Sequence, residues 1–552
     1  MSLTTDNPES VDKKQNALTR EALLALLQEK NQHIDQLQSD IDSHSTLITS
    51  QQGRITTQKQ RINFLEEALR LSQQKRFGSS SEKNLLQSLL FDEAELAACD
   101  QAGDIELPTG ELDEDAEADP APKSKRKPRQ GLSADLPRVQ HYAYLTEEEK
   151  EGATETFFTK VKEELDIEPA RAQVIEYYQE KAVFVENEQR RMLNAEREPH
   201  PLGKSIASVA LLSYIIISKY ADGVPLYRLE TILKRYGGRI TRGAMAVWMI
   251  RLSIQLQPVV NLLEDALLEG QYVQGDETRM KVLKEPGMKA NGHKWIWLMR
   301  GGPPDKPVVM FNYDKSRGKA VAKRLLEGFE GKYFQSDGYA GYDEVCREKN
   351  IVHLGCWDHA RRGFTDAIKA APTPKKGVPP SKAVIALSKI DALYRIERKI
   401  KKLSIDEKYT YRQEHSVQKL EELRQWLTKH APKVEKDSLT RKAMNYTLNQ
   451  WPKLIRYCDD GSLRINNILA ENAIRPFAVG RKAWLFADTP AGAKASALYY
   501  TLIETAKAND IEPFEYIKHV VTHIATADTP EKIEQLLPWN MKNNMMSSHV
   551  DS

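Results

Sequence analysis

Apolar residues return every seven positions in the first part of this chain. Leu27, Ile34, Ile41, Ile48, Ile55, Ile62 and Leu69 all fall on one heptad site, a. That spacing predicts a long helix with a coiled-coil seam. Site d is mixed, with apolar Leu23, Leu37 and Leu65 set among polar Lys30, His44, Gln51 and Gln58. Polar d sites weaken the seam while fixing its register, and Ile at a favours a parallel dimer. The same stripe could instead lie against the chain's own globular part. Gly78 and three serines in KRFGSSSEK (residues 75–83) end the pattern.

The periodicity changes repeatedly after that. Alternating stretches in residues 136–200 (VQHYAYL and ARAQVIEYYQEKAVFV) suit short strands. Residues 206–220 read as a buried helix. Residues 225–236 and 241–252 read as two helices around the turn Gly237-Gly238-Arg239-Ile240. Helix, glycine turn, helix is the outline of a helix-turn-helix, with Thr241 as cap and Arg242 where such helices meet DNA; a purely structural hairpin has the same outline. From residue 271 five short runs (YVQGD, KWIWLM, PVVMFNY, KYFQSD and NIVHLGCW) predict a mixed sheet. Charged helical sequence follows to about residue 457, and then a compact block leads into apolar helical sequence ending near residue 523. The expected organisation is a coiled coil (1–83), a linker (84–135), a small module (136–200), a helical DNA-binding region (201–268), a first core segment (269–371), a helical insertion (372–457), a second core segment (458–523) and a tail (524–552).

Composition narrows the class. With 552 residues, 40% hydrophobic and 29% charged, the chain suits several packed units and excludes wholesale disorder or a fibrous repeat. Its 80 Lys and Arg nearly cancel 78 Asp and Glu, so affinity for nucleic acid must come from placement. Residues 100–119 hold nine acids, and five of the seven residues 123–129 are basic, Lys125, Arg126 and Lys127 among them. The acidic block folds over the basic one, or the basic one meets phosphates, or the segment is a solvated tether; charge alone leaves these open. No basic leader precedes an apolar core at the start, and the longest nearly apolar run, residues 206–217, is short of a membrane helix, so a cytoplasmic protein with no membrane partner is expected. Cys99, Cys346, Cys356 and Cys458 lie far apart without a CxxC, which predicts buried free thiols.

Asp276 and Asp337 each end a predicted strand, and Gly338 follows the second. Carboxylates held there can share a cleft and a divalent metal, although caps and surface acids fall in such places too. Glu471 lies in a helical run with Arg475 four residues on, which alone means no more than a same-face ion pair. Cys356 and His359 form a C-x-x-H pair with no visible companion, so no zinc site is predicted.

Four longer motifs, GDETRMKVL (275–283), SDGYAGYDEV (336–345), GCWDHARRGF (355–364) and AENAIRPFAVGRKAWLF (470–486), together resemble the large transposase of the insertion sequence 66 family. KRFGSSSEK, PLYRLE (225–230) and ASALYYTLIETAKANDIEPFEYI (495–517) are similar to that family as well. The resemblance implies an α/β ribonuclease-H-like core, a mixed sheet flanked by helices, with a helical insertion between the second and third acids of an Asp, Asp, Glu triad. The triad falls on Asp276, Asp337 and Glu471, expected to hold two Mg²⁺ or Mn²⁺ ions for DNA cleavage and strand transfer. Arg361, Arg362, Arg475, Arg481 and Lys482 are then candidate phosphate holders, beside Arg242 and Lys125, Arg126 and Lys127. The implied partners are double-stranded DNA (terminal inverted repeats and target), a second copy through the coiled coil, and small accessory proteins of the same element. A catalytically inactive protein that occupies the element ends is the alternative, and a scaffold without DNA affinity a third.

The chain also departs from the family. The family's cysteine-rich zinc module should lie near residues 136–184, yet no cysteine occurs there. A metal-free module packed on Phe157, Phe158 and Tyr177, or a decayed one, is expected. Asn466-Asn467-Ile468 stands where the family has Asp-Asn-Asn, and Ala483 where it has Asn.

Overall fold

A computed structural model describes residues 20–77, 159, 172–186, 189–196, 198–372 and 379–541. VQHYAYL, Phe157, Phe158, the acidic and basic linker with Lys125, Arg126 and Lys127, and Cys99 lie outside the described residues. The chain divides into two compact units: residues 1–86, 200–223 and 249–552 form one, and residues 87–199 and 224–248 the other.

In the smaller unit, β1 (Lys181–Glu186) and β2 (Gln189–Asn194) form an antiparallel hairpin. The alternation before it does not become a strand: residues 172–180 are irregular, and Val174, Tyr177 and Tyr178 are exposed. Alternation alone makes no strand without a partner edge, so Tyr177 packs no core. After α2 (Val209–Tyr220), which belongs to the larger unit, helix α3 (Leu226–Arg235) stops at Gly237, where φ is 89°, and the Gly238 and Gly237 N–H groups donate back to the Leu233 and Lys234 carbonyls at 2.9 and 3.1 Å. This is a Schellman stop, which needs the residue without a Cβ. Thr241 Oγ1 accepts from the Ala244 N–H at 3.2 Å and starts α4 (Arg242–Leu268). That helix runs well beyond the expected residue 252, through Pro258, into the larger unit. By length and composition α4 could cross a bilayer. Met245, Met249, Leu252, Leu256, Val259, Leu263 and Leu267 are nonetheless buried in protein, at the spacing of a core-facing stripe.

The larger unit holds a five-stranded sheet. Its strands are β3 (Tyr272–Lys281), β4 (His293–Gly301), β5 (Val308–Asp314), β6 (Tyr333–Gln335) and β7 (Val352–Leu354), in the spatial order β5-β4-β3-β6-β7. The first three are antiparallel neighbours, while β6 and β7 run parallel to β3. Short helices α5 (Lys319–Leu325) and α6 (Asp343–Glu348) separate the later strands.

Register sorts the side chains onto two faces. Asp276, Leu298 and Phe311 are cross-strand partners on one face, and Phe311 stacks on Phe477 and Tyr500. Those rings come from α11 (Ile468–Trp484) and α12 (Pro490–Ala508). Glu277, Trp297 and Asn312 point the other way, where Trp297 meets Tyr342 edge-on. The open edge of β5 is satisfied by side chains: the Val309 and Phe311 N–H groups donate to Thr505 and Thr501 Oγ1 at 3.1 and 2.9 Å. Two threonines four residues apart on α12 thereby close an edge that would otherwise invite another strand.

Residues 357–458 are helical on both sides of the undescribed residues 373–378. They include α7 (Trp357–Ala370), α8 (Lys382–Lys399), α9 (Val417–His430) and α10 (Leu439–Asn449). Trp357, Phe364, Leu393, Leu423, Met444 and Leu454 build a shared apolar core. Arg412 locks this bundle: it pairs with Glu397 at 2.6 Å and donates to the carbonyls of Tyr457, Asp460 and Leu463, the segment leading to α11. The chain beyond residue 523 is no loose tail as far as Met541, since Leu536, Leu537 and Met541 are buried. Cys346, Cys356 and Cys458 are free and buried.

Helix α1 (Arg20–Phe77) is one continuous element. Its a stripe stands in solvent, from Ile55 at 50% exposed to Ile41 at 61%. Its last turns do pack on α7 and α10 of the same unit, through other positions. The Lys442 ammonium lies 4.0 Å over the Phe64 ring, Glu67 accepts from the Leu439 N–H at 3.0 Å, and Arg70 donates to the Ala370 carbonyl at 2.8 Å. Those are heptad sites c, f and b, so docking leaves the seam uncovered.

Candidate active site

The parallel pairing of β3 with β6 stops at Gln274 opposite Gln335. Two residues further, on the same face, come Asp276 and Asp337. Asp276 is therefore not at a strand end as expected from the sequence: β3 continues to Lys281, paired antiparallel with β4 through Lys281 and His293. It sits where the parallel ladder has ended and the antiparallel one has not. Gly275 precedes it because a Cβ there would meet the Phe334 ring at 2.6 Å.

Asp337 opens a turn. Its Oδ1 accepts from the Tyr339 N–H at 2.8 Å, and its carbonyl accepts from the Tyr446 hydroxyl at 2.8 Å. Gly338 takes φ 91°, where only glycine is unstrained.

Glu471 enters from the first turn of α11. That helix start is tied to both acid-bearing strands by buried amides. The Gln274 amide donates to Gln335 Oε1 at 2.8 Å and to the Asn466 carbonyl at 3.1 Å, and Gln274 Oε1 accepts from the Ala470 N–H at 3.2 Å. Gln335 donates to the Gly355 and Arg464 carbonyls at 3.0 Å, and Asn467 to the Gly275 carbonyl at 2.9 Å. Each contact fixes the approach of the third acid to the first two.

The charges are mutually aware. Burial pushes the Asp276 carboxyl well above its usual range, with Glu277, Glu471 and Asp337 adding to the push. Glu471 is raised to about 7, first by burial and then by Asp358 and Asp337, while Arg362 pulls it down. Its Oε1 is buried without a hydrogen-bond partner, as is His359 Nδ1, which lies 3.5 Å away. Burial and the neighbouring Arg362 hold His359 below its usual value, against Asp337 and Asp358, which raise it.

The C-x-x-H pair thus gains a companion that spacing could not show: Cys356, His359 and Glu471 offer ligand atoms within 4.8 Å of one another. The Cys356 thiol, however, is held well above its usual value by burial and accepts from the Asn467 N–H at 3.3 Å. It serves the packing of α11 against α7. Asn466 donates to Asp358 at 2.8 Å, so an amide binds a carboxylate that an Asp here would repel.

A fourth acid, invisible to spacing, lies behind the site. Glu277 is 2% exposed and bonded by Arg317, whose guanidinium lies 4.1 Å over the Tyr339 ring. Glu277 also accepts from the Tyr342 hydroxyl at 3.3 Å.

The basic candidates divide. Arg362 reaches Glu471 at 3.8 Å with 40% of its side chain exposed. Arg361 is tied to Asp391 at 2.9 Å. Arg481 donates to Thr278 Oγ1 at 2.8 Å and to the Arg279 carbonyl, fastening α11 to β3. Arg475 is half-buried; among the described residues Glu471 pairs with His359 and Arg362, not with Arg475. Lys482 and Arg242 are exposed, Arg242 in the smaller unit.

The transposase IS66 family profile matches residues 204–495, which contain all of this site. The chain belongs to the transposase IS66 family. The IS66 C-terminal element follows at residues 501–539, which accounts for the folded stretch beyond residue 523, and "Transposase C of IS166 homeodomain" matches residues 64–140. Uncharacterized protein y4qI of Sinorhizobium fredii (strain NBRC 101917 / NGR234) is 29% identical over 511 residues, 88% of this chain and 90% of its own length. Uncharacterized proteins y4jD and y4hP of the same strain are 29% and 28% identical over 61% and 69% of this chain, and over 66% and 70% of their own lengths.

Proposed function

We propose that this IS66-family transposase cleaves and rejoins DNA at the ends of its insertion sequence, with Asp276, Asp337 and Glu471 as catalytic acids on a ribonuclease-H-like core. The observation that carries the reading is that Asp276 and Asp337 each follow the last β3–β6 pair by two residues and Glu471 stands in the first turn of α11, near enough that Asp337 and Glu471 both push the Asp276 carboxyl up. Three antiparallel strands followed by two parallel ones, with an acid-bearing helix after an all-helical insertion, support the core assignment.

The acids also fit a divalent cation. Their donors are hard carboxylate oxygens, Glu471 and Asp337 add to the upward push that burial gives Asp276, and Glu471 keeps a buried oxygen without a partner. Asp276, Asp337 and Glu471 would hold two Mg²⁺ or Mn²⁺ ions, which supply charge neutralisation at the scissile phosphate and a more acidic attacking water or 3′-hydroxyl. No zinc is assigned to Cys356. Arg362, partly exposed beside Glu471, would take a non-bridging phosphate oxygen. Residues 226–248 and the undescribed basic segment are assigned to binding of the terminal inverted repeats. The exposed a stripe of α1 joins two copies so that two ends meet. This work belongs in the bacterial cytoplasm, on nucleoid DNA, with accessory proteins of the element as further partners.

Incubating the protein with a labelled duplex carrying its own element's end, in Mg²⁺ or Mn²⁺, tests the reading. Nicking at the boundary that vanishes in Asp337→Ala is expected. Salt-sensitive binding without cleavage, even with accessory proteins added, would overturn it in favour of an inactive end-binding protein.

A further inference from the structure

Helix α11 ends in a conformation that leucine seldom adopts. Leu485 has φ 64° and ψ −43°, and the Phe486 N–H donates across it to the Trp484 carbonyl at 2.8 Å. This closes a γ-turn of the rare, strained hand. Glycine meets such a φ without steric conflict, yet the residue here is leucine and its side chain stands in solvent. Leu485 is 63% exposed and Phe486 44%.

The turn is not a loose end. Ala487 N–H donates to the Lys281 carbonyl at 3.0 Å, Leu283 N–H to the Ala487 carbonyl at 3.0 Å, and Lys284 N–H to the Asp488 carbonyl at 2.9 Å. The Trp484 ring meets Phe477 edge-on at 5.5 Å. The exposed pair is thereby fastened to the end of β3, the strand that carries Asp276. Its surroundings are basic: Arg279, Lys281 and Lys284 on the strand side, and Arg481 and Lys482 in the last helical turn. Against them stand Asp488, paired with Lys284 at 2.7 Å, and Glu285, which holds the Tyr313 hydroxyl.

We propose that Leu485 and Phe486 form an apolar wedge that enters a base-pair step of the DNA lying across the acids, while the surrounding cations take the flanking phosphates. Apolar side chains on a rigid, positively charged rim are what unstacks a step and kinks a duplex. Two side chains fall far short of the roughly 1,000 Å² that a stable protein interface needs. The strained turn aims both outward from one anchored point. The wedge rests on the reading of this chain as an enzyme of duplex DNA.

The test uses the full chain and duplexes carrying the element's end, with 2-aminopurine placed singly at successive positions around the boundary. The wild type should raise fluorescence several-fold at one or two adjacent positions. Leu485→Gly with Phe486→Ala should abolish that rise while leaving the salt dependence of binding unchanged, and Leu485→Gly alone should melt no lower than wild type because the turn is relieved. A mismatch at the responsive step should restore cleavage by the double variant. Equal fluorescence in wild type and double variant, with both bound, would overturn the wedge and leave the transposase reading standing. Loss of self-association in the double variant without loss of unstacking would assign the patch to a contact between copies instead. Failure of the wild type to bind the duplex would overturn the transposase reading, and the wedge with it.

Discussion

Replacing Glu471 by Gln should make the protein more stable, and more so as the solution becomes alkaline. The side chain is 21% exposed, and burial with Asp358 and Asp337 nearby lifts its carboxyl from the usual 4.5 to about 7. Below pH 4.5 folded and unfolded chains both carry the proton, so nothing is lost. Between 4.5 and about 7 the unfolded chain releases it while the folded chain retains it, and stability falls through that window before levelling off. At about 1.4 kcal/mol per pH unit the full effect is about 3 kcal/mol. The advantage of Glu471→Gln should therefore grow by roughly 2 to 3 kcal/mol from about pH 5 to about pH 8, or roughly 2 to 4 °C in melting temperature for a unit of this size. Calorimetric melting of both proteins in EDTA at the two pH values measures it. Millimolar Mg²⁺ should then stabilise the wild type more than the variant. A variant that gains nothing between the two pH values, or loses stability at the higher one, would refute the crowding of acids on which the site is built.

Gly338→Ala should impair cleavage and lower stability by about 1 to 3 kcal/mol in urea unfolding, because the new Cβ would sit 2.8 Å from Gln450 Oε1 at φ 91° beside Asp337. Arg317→Met should lose about 1 to 3 kcal/mol by leaving the buried Glu277 with only the Tyr342 hydroxyl as donor, and adding Glu277→Gln should recover most of it in the same assay. Ile34→Asn with Ile41→Asn should reduce self-association in sedimentation equilibrium without shifting the melting of the catalytic unit, since both side chains already stand in solvent.

Local periodicity carried much of this architecture. The seven-residue repeat marked α1, the five apolar runs became β3 to β7, and Gly237 and Thr241 stopped and started their helices because those signals lie within a few residues of what they control. What the sequence hid is what depends on partners. Whether Asp276 ended its strand turned on β4, which stays paired beyond the point where β6 has stopped. Residues 172–178 (AQVIEYY) alternate as a strand does, but among the described residues no neighbouring edge receives them. Gln274 and Gln335 are 61 residues apart and look like surface amides, yet they tie the third acid to the other two. Glu277 reads as the third letter of GDETRMKVL, and only Arg317, 40 residues on, shows that it is a buried ion-paired group. The length of α1 was legible, whereas the face that leans on α7 and α10 was not.

The central claim is that Asp276, Asp337 and Glu471 together hold the catalytic cation. Titrating Mn²⁺ into the full-length protein bound to its end duplex, with free Mn²⁺ followed by electron paramagnetic resonance, tests it without relying on turnover. The account predicts tight Mn²⁺ sites in the wild type that weaken at least roughly tenfold, about 1.4 kcal/mol, in each of Asp276→Asn, Asp337→Asn and Glu471→Gln. Wild-type Mn²⁺ affinity in all three variants, each still folded and bound to DNA, would contradict it.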